Sequence, residues 1–393
     1  MKRIVTLLLL GGIFWPALAQ TEHIVAPNTA DPLSGTPNNY HFVYTNPNVA
    51  QKNKLFLFFP GTGGVPYAYR QILKRAANLG YHAIGLTYPN DIAINELCSG
   101  TTDITCHGRA RLEVFDGTDR HPDITVDQNN CIQRRTQKLL QYLATHYPTE
   151  NWAQYMDGNT IQWNNIIVSG HSQGGGHAGI ISKLYEVDRV VMFAATDWVT
   201  AQARTAEWIS WDGPTPAERY YGFVHRDDEM VNFLIEQLTW QDYSMDSFGA
   251  LTLVDTAIPP YGNSHMLYTG HIPDNDPTKF HGSVVSDLYT PMDGNSPVFL
   301  PVWDYLINSS PTAATVTVNA HGVAIYPNPF SDTFELRGIL PTDNVTLCDA
   351  LGRNAELIRN GTSFRMKHDA ASGLYVVQIT TQQGTVIKKL IKN

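Results

Sequence analysis

Between residues 50 and 308, short and nearly all-apolar runs alternate with longer stretches whose apolar positions recur every three or four residues. KLFLFF (54–59), YHAIGLTY (81–88), NIIVSG (165–170), RVVMFAA (189–195) and RYYGFVH (219–225) are predicted strands, and LTLVDT (251–256) is the last of them. Between them YAYRQILKRAANLG, CIQRRTQKLLQYLATHY (131–147) and GHAGIISKLYEV carry helical spacing. Strands apolar at every position, separated by helices, imply a mostly parallel sheet covered by helices on both faces, an α/β fold.

After residue 321 the pattern changes to short alternating runs punctuated by Gly, Pro and Asn-Asp, as in AIYPNPFSDTFEL and GLYVVQITTQQGTVIKKLI, which predicts a small all-β sandwich. The stretch SSPTAATVTVNA between the two textures has neither helical period nor turn glycine. The expected organisation is a domain over 20–308, a linker over 309–321 and the sandwich over 322–393. At the other end, MKRIVTLLLLGGIFWPALAQ joins a basic start to an apolar run and a small-residue Ala17-Leu18-Ala19 step, so residues 1–19 read as a removed secretory signal peptide. That apolar run is shorter than the ~20 residues of a spanning helix, and no later segment is long enough, so no transmembrane segment is expected.

With 43% hydrophobic residues, 19 Tyr, 15 Phe and 8 Trp, 393 residues can bury a large core. Formal net charge is −9 and no Lys/Arg-rich run exists, which argues against nucleic acid as a partner. Export makes disulfides possible. Cys98 and Cys106 share one polar loop and are expected to pair, while Cys348 is expected as a buried thiol and Cys131 is unassigned.

The stretch NNIIVSGHSQGGGHAGI (164–180) carries the candidate chemistry. As a metal site it fails, because six helical residues separate His171 from His177 by ~240°. As a phosphate loop it lacks both the lysine and the distant acid. Gly170-His171-Ser172-Gln173-Gly174 is instead G-x-S-x-G between a strand and a helix, a turn that exposes Ser172 as a nucleophile and aims the Gln173 N–H at an oxyanion. A second donor is expected in Pro60-Gly61-Thr62-Gly63-Gly64, from Thr62 or Gly63.

These residues resemble the α/β-hydrolase superfamily over roughly 50–308, whose order is oxyanion loop, serine elbow, acid, then histidine. The resemblance implies the α/β-hydrolase fold. It implies an acid in HRDDEMV, where Asp228-x-x-Val231 leads and Asp227 is second, with Asp197 a third choice one strand earlier. The histidine is His281, in an H-G-S-x-V context similar to secreted polyester depolymerases and related esterases, or His265; His225 is upstream of the acid and structural. Implied is a secreted serine hydrolase cleaving carboxylic esters of lipid, polyester or acylated polysaccharide, with no cofactor and no metal. A serine peptidase of the same fold and a catalytically silent surface-binding module are the alternatives. Trp198, Trp208 and Trp211 either contact substrate or pin their loop to the core. The acidic loops DGTDRHPD and PDNDPT match no calcium-loop spacing.

The sandwich sequence YPNPF, D-x-x-G-R, S-G-L-Y and the basic last strand resemble the C-terminal sorting domain of the type IX secretion system. The resemblance implies that machinery as a partner, passage through the outer membrane, and release or attachment at the cell surface.

Overall fold

The computed structural model describes residues 20–308, 323–349, 353–368, 370–381 and 384–393, so the expected signal peptide and linker lie outside the described residues. A nine-stranded sheet forms the centre of the large domain. Its strands are β1 (Thr21–Val25), β2 (His41–Thr45), β3 (Leu55–Phe59), β4 (His82–Gly85), β5 (Ile166–His171), β6 (Arg189–Phe193), β7 (Tyr220–His225), β8 (Thr252–Leu253) and β9 (Met266–Thr269). They lie in the order β1-β2-β4-β3-β5-β6-β7-β9-β8, and only β1–β2 and β2–β4 pair antiparallel.

The central strands are apolar at successive positions because both faces are covered: Leu55 through Phe59 are all fully buried. One layer is α1 (Arg70–Asn78) against the last helix, α6 (Leu300–Asn308); the other is α2 (Cys106–Asp116), α3 (Ile132–His146) and α4 (Gln173–Leu184), packed on one another. α5 (Phe233–Asp242) follows β7. In α3 the buried positions Ile132, Arg135, Thr136, Leu139, Leu140 and Leu143 fall on one helical stripe, as the sequence spacing requires. This strand order, with a serine turn between β5 and α4, is the α/β-hydrolase fold. Among the described residues no helix is long and apolar enough to cross a membrane.

Two expectations about strands are corrected. LTLVDT contributes only the two-residue edge strand β8, whose residues are half-exposed, while the inner strand is β9 in GNSHMLYT. A short run with a single outward tyrosine has too little alternation to be read as a strand, but its pairing with β7 buries Met266 and Leu267. The antiparallel β1 and β2 were not visible in the apolar pattern at all.

The C-terminal domain is a sandwich of two four-stranded antiparallel sheets. One runs β10 (Ala324–Tyr326), β11 (Thr333–Arg337), β15 (Ser363–Met366), β14 (Leu357–Asn360); the other runs β13 (Asn354–Ala355), β12 (Asn344–Asp349), β16 (Gly373–Thr381), β17 (Gly384–Lys392). Phe330, Phe334, Leu336, Leu347, Phe364, Val377 and Leu390 fill the space between, with the Phe334 and Phe364 rings stacked 5.6 Å apart. Cys348, a buried free thiol, joins Val376 and Ile387 in packing on Trp198, Leu234 and Leu238 of the large domain.

Phe334→Ala should remove about 3–5 kcal/mol from the sandwich, comparable with the whole margin of so small a domain. Calorimetry of the full chain should lose the sandwich's transition and keep that of the large domain; two intact transitions would contradict this.

Five of the buried histidines of the large domain are held furthest below their ordinary range. Burial holds His41 down to about 3, His82 to about 4 and His265 to about 4. Burial, then His281, holds His171 at about 3, and burial puts His177 well below its ordinary value. An unfolded histidine titrates near 6.5, so below that pH the unfolded state binds protons the folded state refuses. Stability is therefore complete above about pH 7 and falls as pH drops through 6.5, by on the order of 2 kcal/mol per histidine at pH 5. The urea midpoint should be flat from pH 7 to 8.5 and collapse by pH 5; a midpoint constant down to pH 5 would refute the account.

Candidate active site

In a parallel sheet the loops at the carboxyl ends of the strands gather on one edge. Here β3 ends in Pro60–Gly64, β5 in Ser172, β7 in Arg226–Glu229 and β9 leads to His281. Phe59 pairs with Gly170, which brings the Pro60–Gly64 loop alongside the serine turn. His265 precedes β9, at the opposite edge of the sheet. Its ring is stacked between Tyr221 and Phe248, at 3.9 and 4.7 Å, as a core histidine away from Ser172's edge of the sheet.

Ser172 adopts φ 53°, ψ −122°, a strained conformation for a residue with a side chain, and its N–H donates to the Phe193 carbonyl at 2.8 Å. Gly170 and Gly174 make the turn possible. A Cβ on Gly174 would stand 2.0 Å from the Phe59 oxygen, and one on Gly170 would stand 2.3 Å from Gly174.

His281 lies in the short helical turn Phe280–Ser283 and is gripped twice by the loop after β7. Its Nδ1 is 2.7 Å from Asp228 Oδ2, and its main-chain N–H donates to Glu229 Oε2 at 2.8 Å. The Asp228 side chain is fully buried, and its other oxygen accepts the N–H groups of Met230 and Val231, at 2.8 and 2.9 Å. That second bond is the physical content of the D-x-x-V spacing: the N–H three residues on holds the carboxylate toward the histidine. Asp227 points elsewhere, half-exposed and paired with Arg226 at 3.2 Å.

His171, read from sequence as an interchangeable position of the turn, has a structural job. Its Nε2 is 3.0 Å from the His281 carbonyl oxygen and its Nδ1 is 2.9 Å from the Tyr69 hydroxyl. The carbonyl can only accept, so Nε2 carries the proton and the Tyr69 O–H donates to Nδ1. The rings of His171 and His281 lie 4.6 Å apart, and the loop bearing His281 is thereby tied to the residue preceding Ser172. Sequence reasoning missed this link, since a buried histidine beside a serine turn carries no periodic signal.

The two candidate oxyanion donors of the Pro60–Gly64 loop differ in their partners. The Gly63 N–H donates to the Asn90 carbonyl at 2.9 Å and is engaged there. The Thr62 N–H has no partner among the described residues, and the Thr62 hydroxyl donates to Gln173 Oε1 at 3.1 Å. Asn90 was also missed: its amide donates to the Gly61 and Gly64 carbonyls, at 2.7 and 2.9 Å, and sets the shape of the loop.

Asp197, the third candidate acid, is engaged elsewhere. Its carboxylate is fully buried and bidentate to Arg111, with both contacts 2.5 Å, and it accepts from Trp208 Nε1 at 2.8 Å. Burial pushes its pKa up, but the Arg111 guanidinium outweighs burial and holds it down at about 2. Arg111 also donates to the Gln173 carbonyl at 2.8 Å. It lies so close to α4 that a Cβ on Gly176 would be 2.1 Å from its Nη2. Trp208 thus pins its loop to the core, as do Trp211, packed on the same core, and Trp198 under the sandwich.

Cys98 and Cys106 form the expected disulfide, and Cys131 is a buried free thiol. His121 sits 3.4 Å from the Cys106 sulfur. With both sulfurs joined to each other, these three residues offer an ion a single imidazole.

Residues 324–393 match the family model described as the secretion system C-terminal sorting domain, which bears out the resemblance carried by YPNPF and the motifs after it. No curated protein matches the chain. Among solved structures, one named as a dienelactone hydrolase from Klebsiella pneumoniae subsp. pneumoniae is 13% identical, with 65% of this chain and 88% of that chain covered at a TM-score of 0.33. A likeness at that score carries no weight beside the sheet order itself. The chain is an exported protein, secreted or held at the cell surface, in which an α/β-hydrolase-fold domain is followed by a type IX sorting domain.

Proposed function

We propose that the large domain is a serine hydrolase of carboxylic esters, with Ser172 as nucleophile, His281 as general base and Asp228 as the acid that orients it. The observation that carries this reading is the bond from His281 Nδ1 to the buried Asp228 carboxylate, in a loop tethered through His171 to the strained serine turn. With Nδ1–H donated to Asp228, Nε2 is the nitrogen left to accept a proton.

His281 takes the Ser172 hydroxyl proton as Oγ attacks the acyl carbon. The carbonyl oxygen becomes an oxyanion that accepts from the Thr62 and Gln173 N–H groups, at the start of α4 where the helix dipole adds to them. His281 then protonates the departing alkoxide, leaving an acyl-enzyme on Ser172. Water, deprotonated by the same imidazole, releases the acid. Asp228 stays ionised throughout and stabilises the imidazolium.

A mature protein acting this way hydrolyses 4-nitrophenyl acetate and is labelled at Ser172 by a fluorophosphonate. Ser172→Ala should abolish both, and Asp228→Asn should lower kcat by roughly three to four orders of magnitude without loss of the fold. Hydrolysis that survives Ser172→Ala undiminished would sink the reading. Faster turnover of peptide amides than of matched esters would turn it into a peptidase.

A further inference from the structure

A cleft of about 340 Å³ opens beside the serine turn, between the end of β4 and the disulfide-bearing excursion. Its lining includes the buried Gln173 and Asn90, together with Asp91, Ile92, Ile124 and Val126. Its lining contains no aromatic ring and no lysine or arginine, while Asp91 and Asp127 supply two carboxylates.

Two polar side chains of this lining are more than nine-tenths buried and half-used. Gln173 is 7% exposed, and its Oε1 accepts from the Ile94 N–H at 3.0 Å and from the Thr62 hydroxyl. The main-chain donor fixes which end of the carboxamide is oxygen, so its NH2 is the free end, with no partner among the described residues. Asn90 is the converse: its NH2 is consumed by the two glycine carbonyls and its Oδ1 has no partner among the described residues. A donor and an acceptor of fixed identity therefore belong to residues that line the same cleft, each immobilised by its other bonds.

An alkyl chain covering them would strand both groups, a cost of about 1–3 kcal/mol for each. An anionic group would meet two carboxylates and no cation. A hydroxyl both accepts from an amide N–H and donates to an amide oxygen, and the ring C–H faces of a sugar suit Ile92, Ile124 and Val126. We infer that this cleft binds a neutral, polyhydroxylated part of the substrate, of pyranose type, so that the esters cleaved are those of neutral carbohydrate. As a statement about turnover this rests on Ser172 being the nucleophile; as a statement about binding it does not.

Calorimetry with the full-length Ser172→Ala protein separates the two. Acetylated xylotriose should bind, acetylated trigalacturonate should bind at least about tenfold more weakly, and Thr125→Trp, at the rim, should weaken the xylotriose by about tenfold or more. Asp91→Asn should narrow the gap between the neutral and the anionic ligand while leaving the fold intact by circular dichroism. In the active protein, the ratio of kcat/KM for acetylated xylotriose to that for 4-nitrophenyl acetate should fall at least about tenfold on Thr125→Trp. Xylotriose that does not bind at millimolar concentration, or that binds no better than the galacturonate, overturns the cleft assignment whatever the turnover. Binding as expected with no Ser172-dependent hydrolysis of either ester upholds the cleft and rejects the catalytic reading.

Discussion

The structure turns on how closely the first turn of α4 approaches the end of β3. The Gly174 Cα position leaves no room for a methyl group against the Phe59 oxygen, and that contact sets the serine turn between two neighbouring strand ends. From it follow the positive φ at Ser172, the bond from Ser172 N–H to Phe193, and the juxtaposition of the Thr62 and Gln173 amides. The first is a local strain and the last leaves donors unpaired, each unfavourable alone, and the packed sheet sustains both.

The helix layer holds that turn from the other side through a buried charge. An ion pair out of water is costly unless every donor and acceptor is matched, and a pair stripped of one partner is worse than none. Arg111 meets the condition with Asp197 and the Gln173 carbonyl, and Asp197 with Trp208. The arrangement joins α2, α4 and the loop after β6 at one point. It ties the excursion that walls the cleft to the helix that carries Gln173. An acid one strand before the candidate catalytic one is thereby a structural counter-ion.

Features with a short repeat were legible in the sequence: the all-apolar inner strands, the stripe on α3, G-x-S-x-G, the sorting-domain motifs and the Cys98–Cys106 pair. Features defined by contact across the fold were not. Nothing in GNSHMLYT marks β9 as an inner strand, because a four-residue run is too short to show a period, and its burial comes from β7. Thr62 and Gly63 could not be separated without knowing that the Asn90 carbonyl lies over Gly63. The roles of His171, Glu229 and Arg111 depend on partners about 50 to 110 residues away. Nor does any local pattern show that His265 and His281 lie at opposite edges of the sheet, the one before β9 and the other after it.

Helix α4 has four glycines among its twelve residues, Gly174, Gly175, Gly176 and Gly179, each costing about 1 kcal/mol of helix stability relative to alanine. Such a segment does not hold a helix by itself; it is helical because β3, α2 and the guanidinium of Arg111 enclose it. The turn bearing Ser172 therefore owes its shape to the sheet and layers packed around it rather than to its own segment. The surroundings of the candidate nucleophile Ser172 are thus a product of tertiary packing: wherever the chain is unfolded, that residue is an ordinary alcohol.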